Sequence, residues 1–76
     1  MNSEEREFVD DVKDAIDDWD FSEEHYHEDG DFNVEIVFDQ DDWSNNYDEI
    51  WDALSDVCDE WGANMDNDCN TYYLAL

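Results

Sequence analysis

Positive charge is what this sequence has least of. Against 26 aspartates and glutamates stand only Arg6 and Lys13, for a formal net charge of −24 at pH 7. A chain so charged is repelled by nucleic acid and by anionic membranes, so its partners are expected to be basic. Proline is absent and glycine occurs twice, which excludes a Gly-rich phosphate cradle and a Pro-rich linker. Cys58 and Cys69 are too few for a disulfide framework. No apolar run is long enough to cross a bilayer, and the first 20 residues are acidic and lack an apolar core. Neither a transmembrane segment nor a signal peptide is therefore expected, and the expected location is cytoplasmic.

What is present argues for folding. The 76 residues include 41% hydrophobic and 16% aromatic side chains, with four each of Trp, Tyr and Phe. A disordered acidic tail lacks such aromatics. The length allows a single domain, residues 1–76, with one small core that buries only about 60% of the unfolded surface. Mass scaling gives a folded surface of roughly 4,900 Å², hence one net negative charge per roughly 200 Å². B-form DNA carries one per roughly 100 Å². Averaged over all sides, the protein has about half the charge density of a duplex, and more wherever acids crowd one face.

Hydrophobic periodicity gives the element order. Ser3 followed by Glu4 and Glu5 reads as a helix start, with a capping hydroxyl and acids in the first turn. Phe8, Val9, Val12, Ala15, Ile16 and Trp19 then recur at three- and four-residue steps, the apolar stripe of a helix ending near Trp19. Residues 21–27 and 32–38 read as a hairpin turning at Asp29-Gly30, with the first arm as an edge. The second arm alternates Phe32, Val34, Ile36 and Phe38 with less apolar residues, the period of a half-buried strand. The segment DQDDWSNN reads as a polar loop before a second helix capped within residues 44–46. Tyr47, Ile50, Trp51, Leu54, Val57, Cys58 and Trp61 form its apolar stripe, and Gly62 stops it. Residues 69–76, CNTYYLAL, carry no charge and read as a buried strand paired on both sides. The expected fold is α+β: order α-β-β-α-β, two helices on a three-stranded sheet.

Motifs for chemistry are weak. Aligning Gly30 with the glycine of an EF-hand loop puts His25 and Ile36 at its first and last ligand positions, and neither suits calcium. His25 and His27 share one strand face, but no further ligand completes a metal site. Carboxylates are so frequent that pairs of them carry no information, and Ser3, Ser22, Ser44 and Ser55 lie in no nucleophile motif. No enzymatic activity, metal or cofactor is expected.

The distribution of the acids is the informative feature. Solvated helix faces usually mix charge signs, because like charges at i,i+4 cost about 0.2–0.5 kcal/mol each. Here both helical segments carry acids on nearly every outer position and again at their C-terminal ends, against the macrodipole. Repeated breach of a local rule points to function or to an unusual solvent. Carboxylates three and four apart on a helix stand about 5–6 Å apart, comparable with backbone phosphates. Partner-binding candidates on and after the first helix are Glu7, Asp10, Asp11, Asp14, Asp17, Asp18 and Asp20. The hairpin turn adds Glu28, Asp29 and Asp31. Asp41 and Asp42 follow, with Trp43 either an aromatic anchor within an acidic rim or a cover for the start of the second helix. If the first-helix acids are not the binding surface, Asp48, Glu49, Asp52 and Asp56 are the alternative.

In size, charge, layout and aromatic core the whole chain resembles the DNA-mimic inhibitors carried by phages and mobile elements. It is most similar to small anti-CRISPR proteins that block target-DNA binding. The resemblance implies a monomeric inhibitor in a bacterial host cytoplasm, binding the basic nucleic-acid channel of a CRISPR effector subunit. Two other readings fit the composition: a salt-adapted cytosolic protein, whose repulsion is screened at ~1 M salt, and a chaperone-like or cation-binding acidic protein.

Overall fold

The structure, a computed structural model, describes residues 2–76. Helix α1 (Ser3–Ala15) is followed by strands β1 (Phe21–Glu28) and β2 (Asp31–Phe38), helix α2 (Gln40–Trp61), and strands β3 (Asn64–Asp68) and β4 (Thr71–Ala75). The strands form one antiparallel sheet in the order β1-β2-β4-β3. The class is α+β as expected, but the sheet has four strands, not three. The added strand, β3, reads NMDND, and only its Met65 packs against the core. An edge strand needs one apolar anchor and the backbone of its neighbour, and its remaining side chains are free to be polar.

One face of the sheet carries both helices. Phe32, Val34, Ile36 and Phe38 of β2 and Tyr72 and Leu74 of β4 are buried there. Phe8, Val9, Val12 and Ile16 meet them from the first helix segment, and Ile50, Leu54, Val57 and Cys58 from α2. Phe8 packs edge-on against Trp61 at a centroid distance of 5.6 Å, joining the helices. Among the described residues no polar or charged side chain belongs to this core. β4 is paired on both sides, as its lack of charge implies, although it begins at Thr71 because Cys69 and Asn70 form the turn.

The ends of the elements are set by local hydrogen bonds. Asn2, not Ser3, caps α1: Asn2 Oδ1 accepts from the Glu5 N–H at 2.8 Å, and Glu5 Oε1 accepts from the Asn2 N–H at 3.1 Å. That second bond, with help from His27, holds the Glu5 carboxyl below its ordinary pKa. α1 stops at Ala15, and Asp17 and Asp18 lie in the turn that follows. The last turn of α1 carries Lys13 beside Asp14, so the macrodipole conflict expected there is offset only in part. At α2 the conflict stands, since its last turn has no basic residue.

α2 starts at Gln40, five to seven residues before a helix capped within residues 44–46 would, so residues 40–46 of DQDDWSNN belong to the helix rather than to a loop. Asp39 caps it, accepting from the Asp42 N–H at 3.3 Å. The expected break survives as a kink at Asn46 (φ −137°, ψ 21°). Asn46 Nδ2 donates to the Asp42 carbonyl at 2.9 Å, competing for the acceptor that its own N–H uses in a regular helix. Gly62 closes α2 in the left-handed region (φ 68°), with the Ala63 N–H donating to the Cys58 carbonyl at 2.8 Å. At the β1–β2 turn both Asp29 (φ 53°) and Gly30 (φ 85°) have positive φ, as a two-residue type I′ hairpin requires. Among the described residues no helix is long and apolar enough to cross a membrane.

Candidate functional site: an acidic surface with two aromatic outposts

Two contacts set the direction of α1 on the sheet. His27 Nε2 lies 3.1 Å from Glu5 Oε2, and Lys13 Nζ lies 3.1 Å from Glu23 Oε1. α1 therefore runs antiparallel along β1, with its N-terminus near the hairpin turn. Lys13 is thus paired on the flank that faces β1. His25 Nε2 lies 3.5 Å from Glu23 Oε2, at the outer limit of hydrogen bonding. That oxygen is buried with no hydrogen-bond partner. The two histidines share the core face of an edge strand and stack near Phe32, at 6.0 and 5.4 Å between ring centroids. Among the described residues no group of three or more His, Cys, Asp or Glu is arranged to hold a metal ion.

The candidate acids divide by position. Glu7, Asp10 and Asp14 are exposed at three- and four-residue steps on α1. Burial of Phe8, Val9 and Val12 on the opposite side directs them outward. Asp11 is also exposed but is tied inward: its Oδ2 accepts from Trp61 Nε1 at 2.8 Å, bridging the helices. Asp17 and Asp18 are exposed in the turn past the helix end. Asp20 is anchored by its backbone to the start of α2. Its N–H donates to Asp42 Oδ2 at 2.9 Å, and its carbonyl accepts from the Asp39 N–H at 2.9 Å. Asp20, Asp41 and Asp42 thus gather at one end of the molecule. Glu28, Asp29 and Asp31 are exposed in and beside the turn at the far end of β1. The eight residues of β1 separate these groups by roughly 25 Å, and α1 lies alongside to link them.

Trp43 is half-buried. Its indole N–H donates to the Tyr72 hydroxyl at 3.1 Å, and its ring packs on the core, so it covers the start of α2. The exposed aromatics of α2 are instead Tyr47 and Trp51, which keep 55% and 44% of their surface. Periodicity puts both in the apolar stripe, but they fall on its flank, past the point where the sheet reaches. Trp51 still lies 6.5 Å from Tyr72, and Tyr47 6.2 Å from Trp43, between ring centroids. A second aromatic pair, Tyr26 and Tyr73, is exposed on the opposite side of the sheet. Strand register places the pair: Tyr26 is opposite Asn33 and Tyr73 opposite Glu35, on the face away from the helices.

No protein-family model and no curated protein sequence matches this chain.

Proposed function

We propose that the protein is a DNA-mimic inhibitor that occupies the basic nucleic-acid channel of a DNA-binding protein, a CRISPR effector subunit being the first candidate. The observation that carries this reading is charge per unit length. The molecule measures 34 × 20 × 16 Å between Cα extremes. Its 24 net charges along a 34 Å axis amount to one per about 1.4 Å; Met1, outside the described residues, carries no side-chain charge. Duplex DNA carries one per about 1.7 Å. Over the accessible surface of 4733 Å² the density is one charge per roughly 200 Å², so a duplex-like face requires crowding. Glu7, Asp10 and Asp14 on α1 supply it at phosphate-like steps of about 5–6 Å, and Asp17 and Asp18 add charge in the turn that follows.

Mobility-shift assays with a panel of CRISPR effector complexes and their target duplexes test the proposal. The parent protein should prevent duplex binding. Replacing Asp10, Asp14 and Asp17 together by lysine should abolish inhibition while leaving the domain folded. Full inhibition by the triple variant moves the surface to α2, at Asp48, Glu49, Asp52 and Asp56. Full inhibition after reversal of both helices overturns the reading.

A salt-adapted surface is the second reading, favoured by the presence of acids on every side of the molecule, the uncovered sheet face included. A domain that unfolds below ~1 M salt would support it; a domain stable at physiological salt argues for the inhibitor.

A further inference from the structure

Both helices pack on one face of the sheet, and the other face is open. Strand register defines what stands there. Glu24 is opposite Glu35, Glu35 is opposite Tyr73, and Tyr73 is opposite Asp66, one row across all four strands. Adjacent strands are about 4.8 Å apart, so the row is roughly 14 Å long. Tyr26 stands one step along β1, opposite Asn33, so that its ring and that of Tyr73 flank Glu35. Tyr26 and Tyr73 keep 37% and 38% of their surface. Partial burial, then Glu28, Glu35 and the Tyr73 phenol, raise the Tyr26 hydroxyl above its ordinary pKa, which agrees with this proximity. Val37 and Thr71 stand in the row on one side of it and Ala75 in the row on the other, all three half-buried.

This composition is costly to the isolated domain. Like charges directly opposite on neighbouring strands are destabilising, and Glu24–Glu35 is such a pair. Neither Arg6 nor Lys13 reaches this face, since α1 lies on the other side. Exposed tyrosines beside unneutralised carboxylates match one kind of side chain. A guanidinium is planar, stacks on an aromatic ring and donates in a fork to a carboxylate, whereas an ammonium is a hydrated point charge.

We propose that the open sheet face is a docking surface for arginine side chains of a basic protein, with Tyr26 and Tyr73 as stacking planes and Glu24, Glu35 and Asp66 as acceptors. This goes beyond duplex mimicry. It assigns the side of the molecule facing away from α1, and a recognition chemistry that a phosphate row lacks. Arginine is thereby selected over lysine, which bulk charge alone does not do.

The test is titration of the isotope-labelled protein at physiological salt with an alternating Arg-Ala peptide and its Lys-Ala counterpart, followed by amide NMR shifts. The arginine peptide should bind about tenfold more tightly, with shifts centred on residues 24, 26, 35, 66 and 73. Tyr26→Leu with Tyr73→Leu should reduce the preference to within about twofold. Should that variant fail to fold, Glu24→Gln with Glu35→Gln, which removes the like-charge pair, must weaken arginine-peptide binding. The Asp10, Asp14 and Asp17 lysine variant should keep the sheet-face shifts even where it loses inhibition of duplex binding, so this proposal and the mimic reading fail separately. Equal affinity for the two peptides, or shifts confined to the helix acids, overturns the sheet-face proposal.

Discussion

Trp43 and Trp51 stand two turns apart on α2 and do different work. Trp43 gives its indole N–H to Tyr72 and its ring to the core edge. Trp43→Ala should therefore lower unfolding stability by about 2–4 kcal/mol, from lost packing and an unpartnered phenol. Trp51→Ala, at a site that keeps 44% of its surface exposed and has no indole hydrogen bond to lose, should cost clearly less than Trp43→Ala. Denaturant melts of the two variants check this, and equal costs would contradict the packing. The cysteines differ in the same way. Burial, with Asp59 nearby, pushes the Cys58 thiol up to about 11, while Cys69 is exposed. Because the folded-state value lies above the ordinary 9.0, the fold favours the neutral thiol. That contribution is complete below pH ~9 and is lost as pH rises through about 11. At pH ~8 a chromogenic disulfide reagent should titrate Cys69 alone in the native protein, and both thiols after denaturation.

At the scale of elements, β4 and α2 carry most of the specification. β4 is hydrogen-bonded to β2 and β3 and contributes Tyr72 and Leu74 to the core. Deleting residues 72–76 removes two ladders and two buried side chains, and should abolish the cooperative thermal transition seen by circular dichroism. A truncated chain that still melts cooperatively would show that β1–β2 and the helices suffice. In α2 the Asn46 side chain competes with the backbone for the Asp42 carbonyl. Asn46→Ala should restore helical geometry and, by the propensity difference, raise stability by up to about 0.7 kcal/mol. A loss instead would mean that the kink is needed to seat Trp43 on Tyr72.

The whole molecule is governed by self-repulsion among 26 acids that only Arg6 and Lys13 oppose. Its melting temperature should rise steadily from low to physiological monovalent salt as the Debye length falls to about 8 Å. A flat or falling curve would show that local ion pairs outweigh net charge. On the proposed function, the same field makes inhibition strongly salt-sensitive. The Asp10, Asp14 and Asp17 lysine variant should therefore be more stable than the parent in isolation.

Much of this protein follows from sequence alone, because periodicity and charge are one-dimensional quantities. Phe8, Val9, Val12 and Ile16 face the core because their spacing leaves one side of α1 apolar, and Phe32 to Phe38 alternate because one sheet face is buried. Asp29-Gly30 turns because both residues tolerate positive φ. The uncharged final strand is central because only a strand paired on both sides can hide so much apolar surface. Tertiary structure decided the rest. β3 is a strand although Asn64, Asp66 and Asp68 disfavour one, because β4 supplies the hydrogen bonds it needs. Residues 40–46 are part of α2 because Asp39 caps it and Trp43 finds Tyr72, a partner 29 residues away. Tyr47 and Trp51 remain exposed, and Glu24, Glu35, Tyr73 and Asp66 form one row, for a single reason. A side chain's neighbours across strands and layers depend on register and on where the sheet ends, and neither is encoded in spacing along the chain.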